Sequence, residues 1–436
     1  MKKACIIGAG PTGIAAAKHL RQVGIEDFVV YEKNSQVGGN WVFDPRPGHS
    51  SVFTTTHIIS SKSMSQYYDY PLPEHYPDYP SHDQLREYFQ SYARHFGIEP
   101  YIRFNTEVKT ISRIATGNWL VTLADESTEE FEHLLVCNGH HWDPRMPQYP
   151  GEFTGKWMHS HDFKSNAGFE DKRVLVIGGG NSACDIAVET GRVSAQTGIS
   201  MRRGYHFIPK FMLGKPVDTI NSGVKFIPNR MRRWLMAQLL RMVVGRNEQY
   251  GLQKPDHKLL ETHPVVNSEL LYFIRHGKIT PHVDIDRMEG QTVHFKDGSS
   301  ADYDIVIAAT GYKISHPFFE KSMIDFSGGE VPLFRHAFHP EYDNLYFLGL
   351  VQPAGCIWPL ADRQAQLIAN YITGRYQLPG DVLASIQVDI EKIKSRYLHT
   401  PRHSVQVDFH EYLHELEAEI PKSAPEWQEE MAETES

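Results

Sequence analysis

A chain of 436 residues, 41% hydrophobic and 22% charged, is long enough for two or three ordinary globular domains. Its 44 Lys and Arg against 53 Asp and Glu leave a net charge of -9 with no basic stripe, which argues against a nucleic-acid partner. Four scattered cysteines without a C-x-x-C exclude a disulfide scaffold or a dithiol redox pair; with no apolar run of membrane-spanning length, a cytoplasmic protein is expected.

The first elements carry the strongest signal. Lys3-Ala4-Cys5-Ile6-Ile7 predicts a strand that ends in Gly8-Ala9-Gly10-Pro11-Thr12-Gly13. A helical pattern follows to Gly24, and a second apolar run, Phe28 to Tyr31, ends in Glu32. This is a strand–turn–helix–strand unit with G-x-G-x-x-G at the turn and an acid about 20 residues on. The glycines permit a tight turn and close approach of a pyrophosphate, whose charge the helix N-terminus favours. Glu32 can accept from ribose hydroxyls. The unit reads as a dinucleotide site of FAD type.

Val37-Gly38-Gly39-Asn40-Trp41 then reads as a loop folding over a bound ring system. Residues 44 to 80 lack regular pattern, but their tyrosines and few charges predict an ordered, packed loop. Ser81 with Gln84 has capping-box spacing for a helix whose Leu85, Tyr88, Phe89, Tyr92 and Phe96 form a core stripe. Three strand-like runs follow, Ile102 to Val108, Trp119 to Leu123 and Phe131 to Cys137, with a hairpin turn at Thr116-Gly117-Asn118. The neighbouring His140 and His141 point different ways and have no third ligand at metal spacing, so no metal is assigned.

Arg173 to Ile177 predicts another strand, running into Gly178-Gly179-Gly180-Asn181-Ser182-Ala183, a G-x-G-x-x-A turn, and a helix from Cys184 to about Thr190. Where the first unit has an acid, this one has Arg202-Arg203. A guanidinium fork matches a ribose 2′-phosphate, so the second unit reads as NADPH type. Arg230 to Arg246 is basic and amphipathic; it is expected to pack on its own domain rather than lie on a membrane. Asp304 to Tyr312 and Asn344 to Gly349 predict buried strands, and a helix from about Pro359 to Tyr371 points its N-terminus where a reduced flavin would carry charge. The acidic end past Ser423 is expected to be exposed.

Together these residues resemble the flavin-containing monooxygenases. The family fingerprint F-x-G-x-x-x-H-x-x-x-(Y/F) is matched by Phe153, Gly155, His159 and Phe163, between the two glycine motifs. Further matches are GGNW from Gly38, SSK at Ser60 to Lys62, GGGNSACD from Gly178, AATGY from Ala308 and the stretch from Asn344 to Gln366. The resemblance implies an α/β fold of two Rossmann-like domains, with an NADPH domain (166–314) inserted into a FAD domain (1–165 and 315–436). It implies FAD contacts from Gly8, Ala9, Gly10, Pro11, Thr12, Gly13, Glu32, Lys33, Gly39, Asn40, Trp41, Ser60, Ser61, Lys62, Val108 and Gln352. NADPH contacts would be Gly178, Gly180, Asn181, Ser182, Ala183, Cys184, Asp185, Arg202, Arg203, Thr310 and Gly311.

The implied reaction uses NADPH and O₂ to pass one oxygen atom, through a flavin 4a-hydroperoxide, to an amine nitrogen or a sulfide sulfur. Baeyer–Villiger oxygenation of ketones and an uncoupled NADPH oxidase or redox-sensing flavoprotein are the alternatives. The resemblance assigns no acid–base residue; His159, Gln352 and Ile59 are positioning groups. Many members have Asn three residues before the Lys that aligns with Lys62, and here that place is Ile59. Phe163-Lys164 departs from the Trp-Pro or Trp-Asp of related Baeyer–Villiger enzymes and favours heteroatom oxygenation. The charged C-terminus lacks the hydrophobic tail of the vertebrate members, so no membrane span is expected; a homodimer is allowed.

Overall fold

The computed structural model describes residues 2–46, 50–222, 229–259, 261–262, 264–397 and 404–421. Both sheets grow from the apolar runs read above. β1 (Lys2–Ile7), α1 (Pro11–Gln22) and β2 (Phe28–Tyr31) form the first unit, and α2 (His82–His95) starts at Ser81 with a complete capping box. The predicted run Ile102 to Val108 divides. Asn105 adopts a left-handed conformation (φ 52°), so β3 is only Ile102–Arg103 and β4 begins at Val108 and continues to Arg113. It is β4 that forms the hairpin with β5 (Trp119–Leu123), and β6 (Thr128–Val136) follows.

The resulting order is β3-β2-β1-β6-β5-β4, parallel from β3 to β6. The far edge of β6 has two partners. Its first half, Thr128 to Phe131, pairs antiparallel with β5, while Leu134 to Val136 pair parallel with Leu345–Phe347 from late in the chain. One face of this sheet packs on α1, α2 and the helix Trp358–Ile372, with Tyr67, Tyr88, Tyr92 and Phe89 buried among them. Tyr67, Tyr76 and Tyr79 of the tyrosine-rich loop are buried, as its composition predicts. The other face buries Trp119, Phe131, Phe318 and Phe347. Each such ring contributes about 1.5–3 kcal/mol by leaving water.

In chain order β7 (Asp143–Pro144), β8 (Gly151–Phe153) and β9 (Lys156–His159) come next. The second sheet contains β10 (Arg173–Ile177) and β11 (Gln196–Ser200); its order places Ile305–Ala308 between β10 and β9. β8 joins a further sheet through Ile285–Gly290. Residues 151–159, expected in the first domain, thus pair within the second. The helix α3 (Asn181–Gly191) starts three residues before the sequence expectation, directly on Gly180.

The basic helix Asn229–Val243 places Leu240, Met236 and Leu239 on Ile208, Met212 and Leu259 of its own domain. Its other face exposes Trp234 and Met242. Among the described residues no helix is long and apolar enough to cross a membrane, and no group of three or more His, Cys, Asp or Glu is placed to hold a metal ion. The acidic end past Ser423 lies outside the described residues.

Candidate active site

The first glycine loop separates architecture from binding. Gly8 has φ 101°, and a Cβ there would lie 2.7 Å from the Cys137 carbonyl oxygen; one on Gly13 would lie 1.8 Å from the Gly8 carbonyl oxygen. Both glycines are required by the protein's own backbone. Gly10 is different: it has ordinary extended geometry, and its Cβ would meet Gly39 at 3.6 Å from Cα and 3.9 Å from N, normal contacts. Its missing side chain leaves open space above the N-terminus of α1, where no side chain caps the helix. A pyrophosphate fits that space and that charge.

Glu32 is buried and closes the loop. Its Oε2 accepts from the Ala9 N–H at 2.7 Å and its Oε1 from the Asn34 N–H at 2.8 Å. An ionised carboxylate has about four acceptor positions, so two remain for ribose hydroxyls. The chain runs Arg103 to Thr106 alongside, with Glu32 N–H on the Arg103 carbonyl and Thr106 N–H on the Glu32 carbonyl, which brings Val108 within two residues of this strip. Lys33 is exposed over the Trp142 ring. The Gly38 N–H donates to the Ala9 carbonyl, so the loop carrying Gly39, Asn40 and Trp41 is stitched to the glycine turn. Trp41 then meets Trp358 edge-on at 5.8 Å. Thr12 faces Gly349, where a Cβ would come within 2.7 Å of its hydroxyl; Pro11 occupies the first turn, where a missing N–H is harmless.

The SSK stretch is also braced from within. Ser60 Oγ bonds Ser65 Oγ at 2.7 Å, and the Ser61 N–H donates to Asp218 Oδ2 of the second domain at 2.7 Å. The Lys62 ammonium donates to the Glu74 and Tyr76 carbonyls at 2.7 and 2.8 Å, which anchors the tyrosine loop. Ile59 is half-buried beside them.

At the second glycine loop, Gly178 has φ 139° and a Cβ there would lie 2.4 Å from the Ala309 carbonyl oxygen. Gly180 caps α3. Asn181 Oδ1 accepts from Val266 N–H at 2.7 Å, and Asp185 accepts from the Asn267 amide at 2.7 Å. Burial pushes the Asp185 carboxyl up to about 6, against the pull of Lys210. Ala183 and Cys184 turn their side chains into the core, leaving only backbone to meet a ligand, whereas Ser182 is exposed. Arg202 is exposed and Arg203 half-buried just past β11, and among the described residues neither forms an ion pair. A phosphate would give both guanidinia a partner.

A cluster of rings lies on the segments that cross between the two sheets. Tyr312 lies 5.3 Å from His159, 5.6 Å from His141 and 5.8 Å from His161, and its hydroxyl faces Ser51 and Ser160. His159 is buried with both ring nitrogens in use. Its Nδ1 accepts from the His161 N–H, so Nε2 carries the hydrogen and donates to the Gly311 carbonyl at 3.1 Å. Burial lowers its pKa, which agrees with this neutral form. Thr310 donates to the Arg145 carbonyl. Gln352 Oε1 meets His141 Nε2 at 3.1 Å. Tyr312, His141 and Ser51 were not among the expected site residues; the AATGY motif, which ends in Tyr312, was the signal for one of them.

The fingerprint residues have packing reasons. A Cβ on Gly155 would lie 2.6 Å from the Asp304 carbonyl oxygen and against the Phe153 ring, and Phe163 is fully buried against Phe53 at 5.3 Å. They fix the crossing between domains.

Two glycine turns, each between a parallel strand and a helix, give the chain an α/β fold of two dinucleotide-binding domains. The family described as flavin-binding monooxygenase-like matches residues 1–428, and the chain belongs to it. It is similar to Flavin-containing monooxygenase 5 of Rattus norvegicus, 33% identical over 95% of this chain and 82% of that one. Dimethylaniline monooxygenase (N-oxide-forming) 2 of Oryctolagus cuniculus is 32% identical over 96% of this chain and 82% of its own. Among solved structures, S-allyl-L-cysteine S-oxygenase from Allium sativum aligns over 99% of this chain and 91% of its own at TM-score 0.73 and 23% identity. Cyclohexanone monooxygenase from Rhodococcus sp. Phi1 bound to NADP+ gives TM-score 0.73 at 15% identity over 96% and 97%.

Proposed function

We propose that the chain is an NADPH- and O₂-dependent flavin monooxygenase that transfers one oxygen atom to an amine nitrogen or a sulfide sulfur. The observation that supports this is the pair of glycine turns with a ring cluster around Tyr312 on the segments between them, and with Arg202-Arg203, which form no ion pair among the described residues, just past the second turn's next strand. FAD would be held by the Gly8–Gly13 turn, Glu32 and the Gly39–Trp41 loop; NADPH by the Gly178–Asp185 turn and Arg202-Arg203. When bound, the flavin supplies oxygen activation and the nicotinamide supplies hydride. The chain's own part is placement. His159 fixes the crossing strand against Gly311, His141 orients the Gln352 amide, and Ile59 keeps its side of the pocket apolar and poor in water.

The names of relatives that oxidise nitrogen and sulfur support the heteroatom reading, as does Phe163-Lys164. We place the FAD domain at 1–165 and 315–436 around an NADPH domain at 166–314, with β8 and β9 lent by the connector to the inserted sheets. The cytoplasm is the proposed compartment; all four cysteines are buried thiols. The test is stoichiometric: NADPH consumed, oxygenated product and peroxide are measured with methyl phenyl sulfide, N,N-dimethylaniline and cyclohexanone. Sulfoxide or N-oxide near one per NADPH supports the reading. Lactone alone moves it to Baeyer–Villiger chemistry, and peroxide equal to NADPH with every substrate moves it to an oxidase.

A further inference from the structure

The helix Asn229–Val243 has two apolar faces, and only one of them is covered. Met236 and Leu240, one turn apart, pack on Ile208, Met212 and Leu259 of the same domain. On the opposite side Met231, Trp234, Leu235 and Met242 stand at i, i+3, i+4 and i+11, which puts them on one stripe. Trp234 is 60% and Met242 77% exposed, and Met231 and Leu235 are exposed with them. A helix on the surface of a globular domain ordinarily turns a polar face outward. A second apolar stripe marks a surface that meets a partner.

The hairpin packed beside this helix repeats the pattern. Phe211–Met212 pairs antiparallel with Lys215–Pro216, and Met212 belongs to the same cluster as Leu240. The two turn residues, Leu213 and Gly214, both have left-handed φ, 52° and 74°. A turn of that hand favours Asn-Gly. Here a leucine holds the first place, in a conformation its own side chain disfavours, and it is 85% exposed. With so little of it buried, packing does not account for its presence there.

Charge selects the partner. From Lys210 to Arg246 the sequence has eight Lys and Arg and one acid, Asp218, in a chain whose net charge is -9. Asp218 is engaged with the first domain, where its Oδ2 accepts from the Ser61 N–H at 2.7 Å. Lys215, Arg241 and Arg246 are exposed, and among the described residues none of them forms an ion pair. A second copy of the chain docked face to face would set this cationic surface against itself. An anionic phospholipid surface complements both features. Its acyl boundary takes Leu and Met, its headgroup level suits an indole, and its phosphates meet the cations. We propose that the helix Asn229–Val243 and the Leu213 hairpin form a docking face for an anionic membrane surface, on which the enzyme rests without crossing it.

The experiment floats the FAD-loaded enzyme with vesicles of phosphatidylcholine alone, or of phosphatidylcholine with about one-third phosphatidylserine. Binding to the mixed vesicles is expected, about tenfold weaker on phosphatidylcholine alone and weakened by added salt. The double variant Trp234→Glu, Met242→Glu should bind about tenfold less while oxidising a water-soluble sulfide at the parent rate. Leu213→Asn suits the turn, so it should keep the fold and bind more weakly. No flotation with the mixed vesicles, equal flotation with both compositions, or parental binding by the folded double variant would overturn the docking face. Parental binding by Leu213→Asn would remove the hairpin from it. A dimer seen by light scattering, abolished by the double variant and accompanied by no flotation, would assign the face to a second copy instead. Should the double variant fail to fold, Leu213→Asn and the two lipid compositions on the unaltered enzyme decide the matter.

Discussion

Gly10 and Gly13 share one motif and differ in what they do. Gly13→Ala drives a methyl into the Gly8 carbonyl, for which the fold has no room; a loss of more than about 3 kcal/mol is expected from the denaturant midpoint. Gly10→Ala leaves apoprotein stability nearly unchanged but should weaken FAD binding by about tenfold or more, seen as bleached protein after dialysis. At the second loop, removing both Arg202 and Arg203 should raise KM for NADPH about 10–100-fold and leave KM for NADH unchanged. Ile59→Asn puts an amide at the half-buried position beside Ser60. If that residue limits coupling, the variant releases less peroxide per NADPH than the parent; an unchanged ratio would clear Ile59 of that role. At this scale the residue types were legible and their directions were not. Glu32 stood out because its spacing from the turn is fixed by a strand. The inward turn of Cys184 and the commitment of Lys62 to the Glu74 and Tyr76 carbonyls depend on neighbours distant in sequence.

α1 and the helix Trp358–Ile372 are joined by a buried ion cluster. Lys18 is 1% exposed and bonds Asp362 at 2.7 Å and Asp69 at 2.8 Å, while His19 meets the same Asp362 oxygen at 3.0 Å. Burial opposes ionisation of Asp362, but Lys18 and His19 overcome it and hold the carboxyl well below the usual range. Lys18→Met strands that carboxylate and should cost about 3–5 kcal/mol, with much of the loss recovered on adding Asp362→Leu. Two thermal melts and their double variant test it. Helix α2 was readable from its cap and stripe, and both glycine turns from their strands. The division of the Ile102 to Val108 run was not, because it depends on the left-handed Asn105, a conformation that side-chain patterning does not encode.

Over the whole molecule, burial lowers His140, His316, His336 and His339 to about 4. An unfolded histidine titrates near 6.5, so below that pH the unfolded chain binds more protons than the folded one. Stability is then full above about pH 6.5 and falls as pH drops toward 4. Melting temperature should trace that window, with a shallower slope in His316→Phe; a flat profile across it would contradict the burial of these rings. The two-domain plan was legible because each glycine turn announces its own sheet. The lending of β8 and β9 across the crossing was not, since their short runs name no partner.

The divided edge of β6 has a consequence for how the enzyme is made. Leu134 to Val136 must await Leu345–Phe347, more than two hundred residues downstream. At roughly 5–20 residues per second a ribosome needs about 10–40 s to deliver them. For that interval the nascent first domain has an open strand edge, of the kind that templates aggregation. The strands of the second sheet, all between Lys156 and Ala308, are translated before the gap closes. Flavin retention is thereby deferred until translation is nearly finished, and slowing the ribosome between these segments should lengthen the chain's dependence on chaperones.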